Sequence, residues 1–581
     1  MNKKKTIIRW RIRLILLIFL FVTLCIIFRL YSVQIINGEE YFLRAEHQHL
    51  SSASEIFDRG KIYFQTNDGD LIDAATIKNG YKIAINPKAI THLEDIYNNL
   101  GFFLDLDEEF YIKRAEKKDD PYEELSQRVP LDVGEKIKKL NINGVLVLNQ
   151  NWRYYPGKEL AAHSIGFTAF KGDKISGRYG LERFYENTLK RDSSNTFNNF
   201  FVEIFSKHKD STSEKRLEGG IITTIDPLVQ SFVEGEILNI EKKWQSKNIG
   251  IILMNPKNGE INSIALYPSF DLNKFNLVDN PAIYSNHLVE NVYEMGSIMK
   301  PITMAIGLNE GVVTPETTYN DKGSLTLDTE TIYNYDKRGR GVVSMQEVLN
   351  QSLNTGVAFV VRQLGNQTFA KYMKQIFATK TGIDLPNEAA ALVANLDSPN
   401  DIEYATASFG QGIAISPINM IRALAILGNG GKLVTPHIGQ KIKYDVGFSK
   451  IINYPEPVQI LKPETSEEIS RMLVSVVDDA LRGGNVSLDN YSIAAKTGTA
   501  QIAKEKTGGY YNDRYLHSFF GYFPAYDPEF IIFLYHVEPV GARYASETLT
   551  EPFMNIVKFL INHYKIPGDR TSGKSNKKIK I

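Results

Sequence analysis

Cysteine is almost absent from this 581-residue chain, which contains only Cys25. No disulfide can therefore form within the chain, and a zinc site built from several thiolates is excluded. Cys25 lies in an apolar segment near the start of the sequence, where we expect it to act as a small apolar side chain.

An excess of charge of either sign is also absent, since 67 Lys and Arg residues balance 67 Asp and Glu residues. Proteins that bind nucleic acids typically show a basic excess, so this balance does not favour a nucleic-acid partner. Hydrophobic residues make up 43% and charged residues 23% of the chain. This composition is typical of globular proteins, and the length predicts two or three domains.

Long hydrophobic runs are missing except for one near the start. Residues 14–28 are nearly all Leu, Ile, Phe and Val, and flanking residues extend the run to 14–33, about the 20 residues that a bilayer span needs. Six cations precede it, namely Lys3, Lys4, Lys5, Arg9, Arg11 and Arg13. They predict a cytoplasmic segment 1–13 and an extracytoplasmic remainder. The alternative is a cleaved signal peptide, but residues 29–33 lack its small-residue cleavage site, so an uncleaved anchor is favoured.

Three further regions follow the predicted anchor. Residues 34–218 mix short strand-like runs with charged helical stretches and carry few chemical motifs, which predicts a spacer or docking domain. Residues 219–565 have strand-like runs at both ends and helical patterns between them, which predicts an α+β domain. The strand-like runs are 249–254, 261–266, 519–523 and 530–537. Residues 566–581 are basic and poor in apolar side chains, which predicts a disordered tail.

Three short motifs occur in order in the second half of the chain. They are S-x-x-K at Ser297–Lys300, S-x-N at Ser352–Asn354 and K-T-G at Lys496–Gly498. Each alone is weak, because the same patterns recur elsewhere. The other matches are Ser206–Lys209, Ser575–Lys578, Ser193–Asn195, Ser246–Asn248, Ser398–Asn400, Lys380–Gly382 and Lys506–Gly508. Local context must therefore distinguish among them.

Context favours Ser297 as a nucleophile. Ser297 and Lys300 would share one face of a helix, and Pro301 predicts that this helix begins close to Ser297. The start of a helix offers free N–H groups to a developing oxyanion. A serine hydroxyl needs a base, and Lys300 can serve only if burial and a neighbouring cation lower its pKa from about 10.4. Lys496 is the expected neighbour.

The K-T-G motif at 496 follows an extended run of residues. Lys496 with the hydroxyls of Thr497 and Thr499 forms a natural receptor for a carboxylate, and Gly498 would let a substrate backbone come close.

The S-x-N motif lies between the other two motifs in the sequence. Ser352 and Asn354 are expected to pass protons and to orient Lys300. The alternative is a helix-capping polar cluster, which the position between the other motifs disfavours.

The chain resembles the class B penicillin-binding proteins, the monofunctional cell-wall transpeptidases. The resemblance runs from the anchor to about residue 565. It is carried by Arg59–Ile62, Arg153–Pro156, Ala162–Phe167, Gly180–Glu182, Thr224–Asp226, Ser408–Gly412 and Lys496–Ala500 as well as the other two motifs. Arg9–Arg11 and Gly177–Glu182 favour the division type. Met295 and Ala495 depart from the usual proline and glycine of the family.

The resemblance implies a penicillin-binding transpeptidase fold of the serine β-lactamase type at 219–565, with an antiparallel sheet and helices. An elongated α+β pedestal or dimerisation domain at 34–218 and one transmembrane helix would precede it. It also implies that Ser297 attacks the penultimate D-Ala carbonyl of a D-Ala-D-Ala stem peptide. The N–H groups of Ser297 and Thr499 would bind the oxyanion. The other expected site residues keep the roles given above, and no metal or organic cofactor is implied.

The implied partners are peptidoglycan stem peptides, β-lactams as covalent inhibitors, the cytoplasmic membrane, a polytopic glycan-polymerising glycosyltransferase and other division or elongation proteins. One alternative is a D,D-carboxypeptidase or β-lactamase-like hydrolase of the same fold. Another is a β-lactam sensor or scaffold. The large N-terminal region and the anchor favour the transpeptidase, and about a dozen cytoplasmic residues are too few for the output domain of a sensor.

Overall fold

The computed structural model describes residues 20–24, 58–171, 174–191, 219–444, 447–504 and 508–570. Of the predicted anchor, only residues 20–24 lie in these ranges, and they are helical. The predicted cytoplasmic segment 1–13 and residues 571–581 of the predicted tail lie outside them. Across the described ranges, no helix combines the length and apolarity that crossing a bilayer requires.

The strands are β1 (Ile62–Gln65), β2 (Leu71–Ile85), β3 (Glu123–Val129), β4 (Val145–Tyr154), β5 (Thr168–Lys171), β6 (Lys174–Gly177), β7 (Gly219–Thr223), β8 (Asn248–Met254), β9 (Ile261–Tyr267), β10 (Thr318–Asp321), β11 (Ser324–Leu327), β12 (Glu330–Tyr333), β13 (Gly341–Ser344), β14 (Lys432–Leu433), β15 (Gly439–Tyr444), β16 (Ser449–Ile451), β17 (Val458–Gln459), β18 (Ala494–Ala503), β19 (Tyr510–Phe523) and β20 (Phe530–Val537).

The α-helices are α1 (Leu93–Gly101), α2 (Glu108–Ala115), α3 (Leu131–Lys139), α4 (Ala162–Ile165), α5 (Gly180–Phe184), α6 (Glu186–Leu189), α7 (Pro227–Trp244), α8 (His287–Glu290), α9 (Lys300–Asn309), α10 (Met345–Asn350), α11 (Asn354–Leu364), α12 (Asn366–Phe377), α13 (Asp401–Ala407), α14 (Pro417–Ala425), α15 (Pro463–Ser475), α16 (Ala545–Thr548) and α17 (Thr550–Tyr564).

The chain divides into two compact units, and the first contains residues 20–24, 58 and 77–152 of the described chain. In this unit, the second part of β2 pairs antiparallel with β3, and β4 also pairs with β2. Helices α1 to α3 pack around a core that includes Ile83, Leu100 and Ile137. Asp107 caps α2 by accepting a hydrogen bond from the Phe110 N–H at 2.7 Å, as expected for an aspartate at a helix start.

The second unit contains residues 59–76 and 153–570 of the described chain. Its central sheet has five antiparallel strands in the order β18-β19-β20-β8-β9. The strands come from both ends of this region, which confirms the sheet expected from the four strand-like runs. The sheet therefore joins parts of the sequence that lie far apart.

Both faces of this sheet are covered, which explains the continuous apolar run of β20. Phe530, Ile532 and Leu534 face a core formed with α7 and α17. The alternate residues Ile531 and Phe533 face a second core formed with α9 and α14. Because side chains alternate along a strand, a strand buried on both faces is mostly apolar, as β20 is from Phe530 to Leu534 before the buried Tyr535 and His536.

The second unit also contains a buried charge cluster. Glu182, whose side chain is 0% exposed, accepts hydrogen bonds from the Nε atoms of Arg59 and Arg153, both at 2.6 Å. Arg59 also pairs with Glu186 at 2.7 Å. Burial alone would raise the pKa of Glu182, but the two guanidinium groups hold it below its usual value. The cluster ties the start of β1 to the end of β4 and to α5, and it brings together three elements of the family resemblance.

We expect Glu182→Gln to destabilise the protein by about 3–5 kcal/mol, because it leaves buried guanidinium charge without compensation. The matched control is Asp73→Asn, since Asp73 pairs with Lys61 at 2.9 Å with both side chains partly exposed. That change should cost at most about 1 kcal/mol. Urea unfolding of the full-length chain in detergent measures both free energies of unfolding. Equal losses in the two variants would contradict a larger contribution from the buried cluster than from the exposed pair.

Candidate active site

The three motifs line one cleft with a volume of about 880 Å³ in the second unit. Its lining includes Ser297, Ser352, Asn354, Lys496, Thr497 and Thr499. Lys300 and Gly498 are buried directly beside this lining. The structure therefore brings all eight predicted site residues to a single groove.

Ser297 lies in a 3-10 turn, Gly296–Met299, that leads directly into α9. Ile298 and Met299 are fully buried and anchor the turn, whereas Ser297 is only half-buried. Gly296 has a φ of +64°, and a Cβ atom there would lie 2.8 Å from the Thr499 carbonyl oxygen. This position therefore needs glycine, and the close approach sets the turn against β18.

Two lysines converge on one hydroxyl. Lys300 Nζ donates to the Ser352 carbonyl oxygen at 2.5 Å and to Ser352 Oγ at 3.1 Å. Lys496 Nζ donates to the same Oγ at 3.1 Å and to the Thr497 carbonyl oxygen at 3.0 Å. Ser352 Oγ thus accepts a hydrogen bond from each of the two amines. The proton of its own hydroxyl can therefore be donated to another acceptor.

The two lysines differ in their electrostatics. Burial and the adjacent Lys496 hold the pKa of Lys300 well below its usual value. Burial lowers the pKa of Lys496 to about 8. Two ammonium groups that share one hydroxyl resist being charged together. Because burial and repulsion both act on Lys300, whereas burial alone acts on Lys496, Lys300 is the amine that loses its proton more readily.

Ser352 has a left-handed backbone with a φ of +55°, which costs a non-glycine residue about 1 kcal/mol. Hydrogen bonds around it hold this conformation, including Leu353 N–H to the Val348 carbonyl at 2.9 Å. The conformation presents the Ser352 carbonyl to Lys300. Backbone strain of this kind is characteristic of functional sites.

Asn354 begins α11 and lines the cleft, and among the described residues its side chain forms no hydrogen bond with Lys300. Its amide donates to the Tyr333 carbonyl oxygen at 2.8 Å. Its predicted part in orienting Lys300 stays a prediction.

Strand β18 forms the edge of the central sheet and one wall of the cleft. The Thr499 carbonyl faces Gly296, away from β19. In an antiparallel strand, the N–H and C=O of one residue point to the same side, so the Thr499 N–H also faces outward. Thr499 Oγ1 accepts a hydrogen bond from the Ala545 N–H at 3.1 Å.

Gly498 has a packing role that the sequence did not reveal. A Cβ atom there would lie 2.3 Å from Ser518 Oγ and 2.8 Å from the Met295 carbonyl oxygen. The absence of a side chain at Gly498 thus lets β18 pack closely against Met295, two residues before Ser297.

Sequence reasoning missed two further segments that line the cleft. One wall includes Tyr333, Tyr335 and Lys337, and another includes Arg543, Tyr544, Ala545 and Ser546. His517 fixes the second wall, since its ring nitrogens contact the Arg543 carbonyl at 3.1 Å and Thr548 Oγ1 at 2.9 Å. Burial lowers the pKa of His517 to about 4, so the ring is neutral near pH 7. The only sequence signal was an adjacent cation and aromatic residue in the loop after a buried strand.

Two family models match this chain. Residues 249–558 match the penicillin binding protein transpeptidase domain, and residues 58–197 match the penicillin-binding protein dimerisation domain. The first match alone covers more than half of the chain.

Relatives match along nearly the whole length. Stage V sporulation protein D of Bacillus subtilis (strain 168) is 30% identical over 581 residues, covering 96% of this chain and 86% of the relative. The peptidoglycan D,D-transpeptidase FtsI of Buchnera aphidicola subsp. Schizaphis graminum is 26% identical, covering 98% of both chains.

Solved structures agree in fold. Penicillin Binding Protein 2X from Streptococcus thermophilus matches with a TM-score of 0.71 at 18% identity, covering 89% of this chain and 82% of that one. Penicillin binding protein 3 from Mycobacterium tuberculosis, complexed with aztreonam, matches with a TM-score of 0.67 at 19% identity, covering 89% and 98%. The family models, the sequence relatives and the shared fold agree: this chain belongs to the class B penicillin-binding proteins.

Proposed function

We propose that this chain is a peptidoglycan D,D-transpeptidase that cross-links stem peptides through a Ser297 acyl-enzyme. The observation that carries the proposal is the convergence of Lys300 and Lys496 on Ser352 Oγ beside the Ser297 turn. This arrangement supplies a nucleophile, a neutral base and a fixed cation in one cleft.

Acylation begins when Ser297 Oγ attacks the carbonyl carbon of the penultimate D-Ala. Neutral Lys300 takes the serine proton, as a general base must. Negative charge develops on the carbonyl oxygen and is stabilised by the N–H groups of Ser297 and Thr499. Ser352 and Asn354 relay protons and position the substrate.

The terminal carboxylate of the donor binds Lys496, Thr497 and Thr499. Collapse of the tetrahedral intermediate breaks the peptide C–N bond, and the proton held by Lys300 passes to the leaving D-Ala nitrogen, with Ser352 as the relay. The amine of a neighbouring stem peptide then attacks the ester carbonyl and forms the new amide bond. The ester C–O bond breaks, and the proton that the amine loses passes through Lys300 to Ser297 Oγ. The chemistry of these steps requires neither a metal ion nor an organic cofactor.

We further propose that residues 219–565 form the catalytic domain and residues 34–218 the pedestal or dimerisation domain. The two family matches support this division. Residues 14–33 would anchor the chain in the cytoplasmic membrane with the catalytic domain outside, supported by the cations that precede them. A polytopic glycan-polymerising glycosyltransferase and other division or elongation proteins are the proposed partners.

The proposed setting is wall synthesis at the division septum, which the FtsI relatives support. The similarity to a Bacillus subtilis stage V sporulation protein supports a second setting, wall synthesis during spore formation. The cleft chemistry proposed here is the same in both.

We expect Ser297→Ala to abolish covalent labelling by a fluorescent penicillin, since it removes the acylated oxygen. Ser206→Ala and Ser575→Ala are matched controls at the other S-x-x-K serines and should retain stoichiometric labelling. Gel fluorescence and intact mass of the full-length chain in detergent measure the adduct. Label that survives in Ser297→Ala refutes the nucleophile assignment, and rapid release of hydrolysed drug by the unmodified protein favours a β-lactamase.

Penicillin acylation should depend on pH through both lysines. It requires neutral Lys300 and charged Lys496, so the rate should fall as pH rises through about 8. Lys496→Ala should remove this alkaline limb. It should also raise the pKa of Lys300, because the repelling charge is gone, and thus move the acid limb to higher pH. Stopped-flow acylation rates measure both limbs, and an unmoved acid limb would contradict coupling between the lysines.

A further inference from the structure

The cleft has an unusual charge composition for a chain with no net charge. Among the described residues that line it, four are cationic, namely Lys337, Arg482, Lys496 and Arg543, and none is Asp or Glu. The whole chain balances 67 basic with 67 acidic residues, so the excess is local to the cleft. A single terminal carboxylate bound at Lys496 would leave most of this charge without a counterion.

The three remaining cations are not equivalent. Arg482 is held by the protein, since its guanidinium donates to the carbonyl oxygens of Ser546 at 3.2 Å and Glu547 at 3.4 Å. Lys337 and Arg543 are exposed and form no ion pair with any carboxylate in the described part of the chain. The nearby acids are engaged elsewhere: Asp336 pairs with Arg340 at 2.8 Å, and Glu547 accepts the N–H groups of Arg543 and Tyr544.

Each of these two cations lies over an aromatic ring that also lines the cleft. Lys337 Nζ lies 5.3 Å from the centre of the Tyr333 ring, and Arg543 Cζ lies 5.4 Å from the centre of the Tyr544 ring. The walls meet where the rings of Tyr335 and Tyr544 pack edge to face at 6.0 Å. Contacts of this kind restrict a cation to the ring face without neutralising its charge.

The segments that carry Lys337 and Arg543 contact the motifs that would bind the donor substrate. Ala545, two residues after Arg543, donates to Thr499 Oγ1 at 3.1 Å. Tyr333 accepts a hydrogen bond from Asn354. The two cations therefore lie on segments that contact the S-x-N motif and the K-T-G motif, close to the proposed carboxylate receptor.

We propose that Lys337 and Arg543 form a second anion subsite that binds a further carboxylate of the donor stem peptide, carried upstream of the scissile bond. The subsite rests on the proposed transpeptidase function and names its donor as an acidic peptide with at least two carboxylates. It gives the cleft a means to prefer donors whose upstream carboxylate is free over donors in which it is amidated.

The test uses two synthetic donors ending in D-Ala-D-Ala that differ only in one upstream carboxylate, free in one and amidated in the other. Release of D-Ala by the full-length chain in detergent measures acylation. We expect the free-acid donor to react about fivefold faster, the size of one exposed ion pair. The preference should shrink at about 1 M salt, where the screening length is about 3 Å.

Lys337→Gln combined with Arg543→Gln should bring the ratio of the two rates close to one. Lys558→Gln is the matched control, since it removes an exposed cation on α17 outside the cleft lining, and its ratio should match the unmodified protein. Because both donors are assayed on the same protein, the ratio of their rates does not change when part of a variant is unfolded.

Two outcomes overturn the subsite. One is equal rates for the two donors with the unmodified protein. The other is a preference for the free-acid donor that the double variant retains. Failure of both donors and of penicillin to acylate the unmodified protein would overturn the proposed function itself, which separates the two failures.

Discussion

Two buried amines directed at one hydroxyl form the constraint on which the rest of this site depends. Burial and a nearby positive charge each favour the neutral form of a lysine. Both act on Lys300, because α9 packs against the central sheet and β18 places Lys496 on the other side of Ser352 Oγ. The packing around the sheet thus lowers the pKa of the proposed base.

Much of the fold and site could be predicted because local physical requirements leave marks in the sequence. Pro301 indicated where the helix after Ser297 begins, and the structure places a 3-10 turn followed by α9 there. The apolar runs at 249–254 and 530–537 predicted buried strands, and they pair in the central sheet. The three motifs, ambiguous one by one, were selected by their context, and the structure places them along one cleft.

The remainder depends on contacts between distant residues that no local pattern records. The left-handed backbone of Ser352 follows from hydrogen bonds around it rather than from residue type. The partner of Asn354 is a carbonyl in a separate two-stranded sheet. Arg543 and Tyr544 become part of the cleft through contacts distant in sequence, such as those of buried His517 with the Arg543 carbonyl and of the Ala545 N–H with Thr499. The sequence predicted that Gly498 lets a substrate backbone come close. The structure adds a second reason for glycine there, which is close packing against Ser518 and Met295.

The placement of β18 at the sheet edge has a consequence for how a peptide is read. An edge strand offers outward N–H and C=O groups to any extended chain that lies alongside it, in the manner of β-augmentation. Main-chain pairing of this kind is indifferent to most side chains, so it fixes the register of the incoming peptide while leaving its composition open. Selectivity then rests with the few side chains at the groove walls, which can change during evolution without disturbing the alignment of the reacting carbonyl.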